Sequence, residues 1–126
     1  MDIKPKSFHS EYETTFILTP ELPEGEQKAA VDKVVKYIKD NDGEVHNIEH
    51  WGMRRLAYPI NRKHNGYYAF IEFRGPGELI SKLEQGFRYD DNVIRYLTVK
   101  LDKHHLAFNK KRREQSFGLR KEAKTS

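Results

Sequence analysis

The sequence predicts an α+β fold, a split βαβ sandwich in which one antiparallel four-stranded sheet carries two helices on one face. Three observations lead there: two segments with apolar residues at helical spacing, four extended segments, and their order along the chain. That order is strand, helix, strand, strand, helix, strand, the ferredoxin-like arrangement. At 126 residues the chain has room for one domain with one modest core.

Residues 12–18, YETTFIL, alternate Tyr12, Thr14, Phe16 and Leu18 with Glu13, Thr15 and Ile17, the period of a strand, which Pro20 and Pro23 end. From Glu24 to about Asp40, Val31, Val34, Val35 and Ile38 fall at i, i+3, i+4 and i+7 on one helical face, opposite Lys28, Asp32, Lys36 and Lys39. Glu24 and Glu26 suit the positive N-terminal end of that helix, and Asn41-Asp42-Gly43 supplies a left-handed stop. Glu44 to Ile60 is extended but too long for one straight strand of a small sheet, which makes Gly52 the expected bulge or bend.

Asn65-Gly66 reads as a hairpin turn leading into the strand YYAFIEF, residues 67–73, with Ala69, Ile71 and Phe73 on one face and Tyr68, Phe70 and Glu72 on the other. Gly75-Pro76-Gly77 breaks that strand, and Leu79, Ile80, Leu83 and Phe87 mark a second, shorter helix. Asp90-Asp91-Asn92 turns the chain into VIRYLTVKL, residues 93–101, a last strand whose two faces the pattern does not separate. The expected organisation is an N-terminal extension over residues 1–11, a domain over 12–101 and a basic tail over 102–126.

Hydrophobic residues make up 37% and charged residues 33%, spread so that a folded domain with a heavily charged surface is expected. Residues 102–126 hold eight Lys or Arg against three Asp or Glu, while residues 1–101 hold 15 basic against 16 acidic groups, so the tail carries the excess of a net +4. The chain has no cysteine, which excludes disulfide and thiolate chemistry. The opening MDIKPKSFHS has no secretory apolar run, and no apolar span of about 20 residues follows, so a soluble, intracellular protein without membrane contact is expected.

Enzymatic and metal chemistry find little support. His46 and His50 would pair on a helix, but on a strand four residues span about 13 Å, too far for ligands about 2 Å from one ion. His104 and His105 lie in the tail with no ligand set to complete a site. Acylphosphatases share the expected topology, but their phosphate loop needs a fixed Arg, and the corresponding LTPELPEGE is acidic. Asp40, Asp42, Asp90 and Asp91 suit turns rather than acid–base pairs. Neither cofactor nor small-molecule substrate is expected.

Nucleic-acid binding has more support. Arg54, Arg55, Arg62, Lys63, Arg88, Arg95 and the run Lys110, Lys111, Arg112, Arg113 suit phosphate contact, with Tyr58, Tyr67, Tyr68 and Phe70 among them. Taken alone, such charges read more readily as a solvated face, and the aromatics as packing against a partner or a neighbouring loop. Residues 66–73, GYYAFIEF, approach the RNA-recognition signature, but Tyr67 stands where Gly is expected and Gly66 where a basic residue is expected.

The segment WGMRRLAYPINRKHNGYYAFIEF, residues 51–73, decides between these readings. Gly52, Arg54, Arg55, Leu56, Ala57, Tyr58, Ile60 and Asn61 fill every specified place of a signature, and the chain closely resembles the bacterial small-subunit ribosomal protein six family over about residues 10–102. The resemblance implies a ferredoxin-like structural protein of the small ribosomal subunit. It also implies binding to the central domain of 16S rRNA together with small-subunit ribosomal protein eighteen. Arg54, Arg55, Arg88 and Arg95 become rRNA-contact candidates, and Trp51, Tyr68 and Phe70 candidates for the partner-protein interface. A stand-alone RNA-recognition domain and a protein-interaction module without RNA are the alternatives.

Overall fold

The structure is a computed structural model that describes residues 9–23 and 25–101. Its elements follow the expected order: β1 (His9–Leu18), α1 (Glu26–Asp40), β2 (Glu44–Ile60), β3 (Lys63–Pro76), α2 (Gly77–Tyr89) and β4 (Val93–Leu101). The strands form one antiparallel sheet in the order β2-β3-β1-β4. β1 begins three residues before the expected Tyr12, because His9 already pairs with Pro76 of β3.

The two predicted helical faces are the ones that pack. Val31, Val35 and Ile38 of α1 and Leu79, Leu83 and Phe87 of α2 are buried. They meet Tyr12, Phe16 and Leu18 of β1 and Ala69, Ile71 and Phe73 of β3, one alternating set from each strand, in one core. Burying a side chain of this size contributes about 1.5–3 kcal/mol, so this single layer is the main source of stability. Thr14 and Thr98 stand opposite each other on the same side of β1 and β4, and their hydroxyls share a hydrogen bond of 2.8 Å. That contact assigns the faces of β4: Tyr96 and Thr98 lie under the helices, and Arg95, Leu97 and Val99 on the helix-free side.

At the end of α1, Asp42 takes the left-handed conformation (φ 66°), and the Gly43 N–H donates to the Ile38 carbonyl at 2.8 Å. Gly52 has φ 81° at a register shift between β2 and β3, the expected bulge. The hairpin turn is not where the sequence suggested. It falls at Asn61-Arg62, both left-handed (φ 49° and 65°), with Ile60 paired to Lys63. Asn65-Gly66 lies inside β3, where a Cβ on Gly66 would stand 2.3 Å from Ile17 Cγ2. Glycine is therefore present there for close approach to β1, and β3 starts four residues earlier than the expected Tyr67.

Candidate RNA and protein interface

Both helices cover one face of the sheet, and the signature residues shape the other. Between the pairs Arg55–Asn65 and Ile60–Lys63, four residues of β2, Leu56, Ala57, Tyr58 and Pro59, stand against His64 alone. The surplus chain bends out of the ladder, where Pro59 loses nothing by lacking an N–H. It reaches across the helix-free face, with Leu56 only 7% exposed. Tyr58 arrives at the far edge strand, where Arg95 Nη1 donates to its hydroxyl and the guanidinium carbon lies 5.7 Å from the ring centroid.

This bend encloses a mostly apolar hollow of about 300 Å³, lined among others by Ile17, Leu56, Tyr58, Tyr68, Arg95 and Leu97. Tyr58 and Leu97, at 56% and 64% exposed, form its rim. Small-molecule pockets begin at about this volume, but the lining offers few polar groups to orient a substrate. The shape and chemistry fit one or two apolar side chains presented by another protein.

Beside the hollow lies an aromatic platform. The Trp51 ring stacks on Phe70 (centroids 5.7 Å apart, planes at 8°) and on Tyr68 (6.4 Å, 16°). The bulge at Gly52 turns Trp51 onto this face, and its Nε1 donates to Glu49 Oε1 at 2.9 Å. Phe70 is 2% exposed, so its ring supports the platform from below, while Trp51 and Tyr68 are half-buried and reachable. Arg54 caps the stack, its guanidinium carbon 5.6 Å from the Trp51 centroid.

The predicted basic residues divide. Arg54 and Arg95 flank Tyr68 on the helix-free face, through the register Arg95–Ile17–Tyr68–Gly52 and the pair Arg54–Gly66. Arg62 and Lys63 stand at the hairpin tip, where Lys63 is ion-paired with Glu21. Arg55 is exposed opposite Asn65. Arg88 ends α2 on the helix side, where a hydrogen bond with the Tyr96 hydroxyl, which lies under the helices, raises its already high pKa. Lys110, Lys111, Arg112 and Arg113 lie outside the described residues.

Of the histidines weighed as metal ligands, His46 and His50 have other partners, and His104 and His105 lie outside the described residues. His46 Nε2 lies 3.0 Å from Glu11 Oε2, and His50 Nδ1 shares a hydrogen bond of 2.8 Å with the Tyr67 hydroxyl on the helix side. Among the described residues no group of three or more His, Cys, Asp or Glu could hold a metal ion, and no helix is long and apolar enough to cross a membrane. Sequence reasoning did not find Ile17, Leu56 and Leu97 as parts of a site. The signature around Tyr58 was the available signal, since its residues build the bend.

Known proteins share this sequence pattern and this fold. The sequence profile of ribosomal protein S6 matches residues 11–100. Small ribosomal subunit protein bS6 of Porphyromonas gingivalis is 46% identical over 102 residues, covering 81% of this chain and 87% of that protein. The protein of the same name from Phocaeicola vulgatus is 45% identical over 104 residues, covering 82% and 91%. The crystal structure of 30S ribosomal protein S6 from Thermotoga maritima superposes with a TM-score of 0.72 at 32% identity, covering 86% of this chain and 98% of that one. From its first strand to its last, the chain belongs to the ribosomal protein S6 family.

Proposed function

We propose that the chain is a structural constituent of the small ribosomal subunit in the bacterial cytoplasm. It binds the central domain of 16S rRNA together with small-subunit ribosomal protein eighteen, in support of subunit assembly and translation. The observation that carries this reading is the helix-free face, on which Arg54, Arg95 and the apolar hollow lie side by side. Arg54 and Arg95 supply phosphate contacts, with Arg55, Arg62, Lys63, Arg88 and the run Lys110–Arg113 as further candidates. Trp51, Tyr68 and the rim of the hollow receive the partner, and Phe70 braces them. The role requires no reaction and no cofactor.

The burial of Phe70 weighs against a stand-alone single-strand binder, because base stacking needs a bare aromatic surface and Trp51 already occupies this one. Filter binding of a central-domain 16S fragment, with and without protein eighteen, tests the proposal at two salt concentrations. Salt-sensitive binding that requires the partner is expected. Each phosphate contact removed by Arg54→Gln or Arg95→Gln lowers the slope of log K against log salt by about 1. Binding only to short single strands, or to no RNA in any combination, overturns it.

A further inference from the structure

The two cations that flank Tyr68 are held in different ways. Arg54 Nε donates to the Trp51 carbonyl at 3.4 Å and its guanidinium carbon lies 5.6 Å from the Trp51 centroid, so it rests on a residue three positions earlier in its own strand. Arg95 rests on a residue from the opposite edge of the sheet. Its Nη1 donates to the hydroxyl of Tyr58, which stands in the stretch of β2 that leaves the ladder and walls the hollow. Both side chains of this second pair are exposed, Tyr58 at 56%.

Ordering a long, exposed arginine is among the larger side-chain entropy costs of forming a contact. The Tyr58 hydroxyl removes part of that freedom in advance while taking one N–H of the guanidinium fork, which leaves the others for a phosphate. We propose, on the reading that RNA takes the cations of this face and protein eighteen its hollow, that Tyr58 is a positioning residue for RNA binding. It sets Arg95 for a phosphate. An apolar side chain of the partner entering the hollow packs against the Tyr58 ring and holds it still, so the seated partner strengthens RNA binding through this pair. By reciprocity, RNA strengthens partner binding by the same factor. Arg54, held by Trp51, contributes its phosphate contact independently. An uncharged side chain of the partner surface thereby sets the affinity for RNA.

The test is filter binding of a central-domain 16S fragment to the full chain premixed with saturating protein eighteen, from about 50 to about 500 mM salt. Tyr58→Phe keeps the ring in the wall of the hollow and every charge of the chain, and removes only the acceptor for Arg95. It is expected to weaken RNA binding by about threefold to tenfold, the worth of one hydrogen bond, without changing the slope of log K against log salt. Arg95→Gln weakens RNA binding and also lowers that slope by about 1. Combined with Arg95→Gln, Tyr58→Phe causes no further loss, whereas combined with Arg54→Gln the two losses multiply. An RNA affinity unchanged by Tyr58→Phe, a loss that recurs in full beside Arg95→Gln, or a loss that alters the salt slope overturns the proposal while leaving the reading of the face intact. A native chain that binds no RNA even with protein eighteen overturns both.

Discussion

Arg95 holds the Tyr58 ring across the whole width of the sheet: the two residues come from the opposite edge strands β4 and β2, yet the guanidinium carbon is 5.7 Å from the ring centroid. Both side chains are exposed, so the contact contributes about 0.5–1 kcal/mol, too little to hold the fold. Its consequence is shape, since it fixes one wall of the hollow. Tyr58→Phe keeps the ring and loses the hydrogen bond, and urea unfolding should show a change below about 1 kcal/mol. Tyr58→Ala removes the wall, and calorimetric titration with protein eighteen should show about a tenfold or greater loss of affinity. Unchanged affinity in Tyr58→Ala would place the partner elsewhere.

Support and contact on this face separate by burial. Phe70, 2% exposed beneath Trp51, should cost about 3–5 kcal/mol when changed to Ala, a large share of a small domain's stability. Leu97, 64% exposed on the rim, should change stability by no more than about 0.5 kcal/mol as Leu97→Ala and still weaken binding of protein eighteen. Urea midpoints and binding titrations on the same two variants decide it. A well-tolerated Phe70→Ala would show that the platform does not rest on that ring.

Much of this was legible because local period dictates which side of an element is buried. The alternation in YETTFIL and YYAFIEF separated the two sides of each strand, one of which is the core side, and the helical spacing of Val31, Val35 and Ile38 marked the face that packs. β4 resisted because both its faces are apolar: Tyr96 packs under α2 on Phe87, while Leu97 and Val99 face the helix-free side. The hairpin was displaced because Asn65-Gly66 is the stronger turn signal, yet the glycine is required by Ile17, a neighbour 49 positions earlier in sequence that no local pattern contains. The hollow was invisible for the same reason, since it exists only once four residues of β2 oppose one of β3 and Tyr58 reaches β4.

Alkaline pH provides a probe of the helix side of β3. Burial raises the Tyr67 phenol above its ordinary value of about 10. The unfolded chain then releases this proton at a lower pH than the folded one. The stabilisation is therefore fully present below about pH 10 and is lost as pH rises through the folded value. Urea midpoints measured from about pH 8 to about pH 11 should fall in the native sequence, and less steeply in Tyr67→Phe. The variant sacrifices the hydrogen bond with His50 at every pH, so the slope rather than the absolute midpoint carries the result. Identical slopes would contradict the raised value.

Two glycines give opposite expectations for the same substitution. Gly66 has no space for a methyl group, because its Cβ would stand 2.3 Å from Ile17 Cγ2, a branched side chain only 7% exposed that has little room to withdraw. Gly66→Ala should destabilise by about 1–3 kcal/mol through overpacking. It should also disturb the wall of the hollow, to which Ile17 belongs. Gly86 lies within α2, is exposed, and has nothing within 4 Å of its Cβ position. Gly86→Ala should stabilise by about 0.5–1 kcal/mol, the difference in helical propensity, without affecting binding. Thermal and urea unfolding of both variants measures the contrast. If Gly66→Ala were neutral, the close approach of β3 to Ile17 would be loose enough to absorb a methyl group, and the glycine would not be required by that packing.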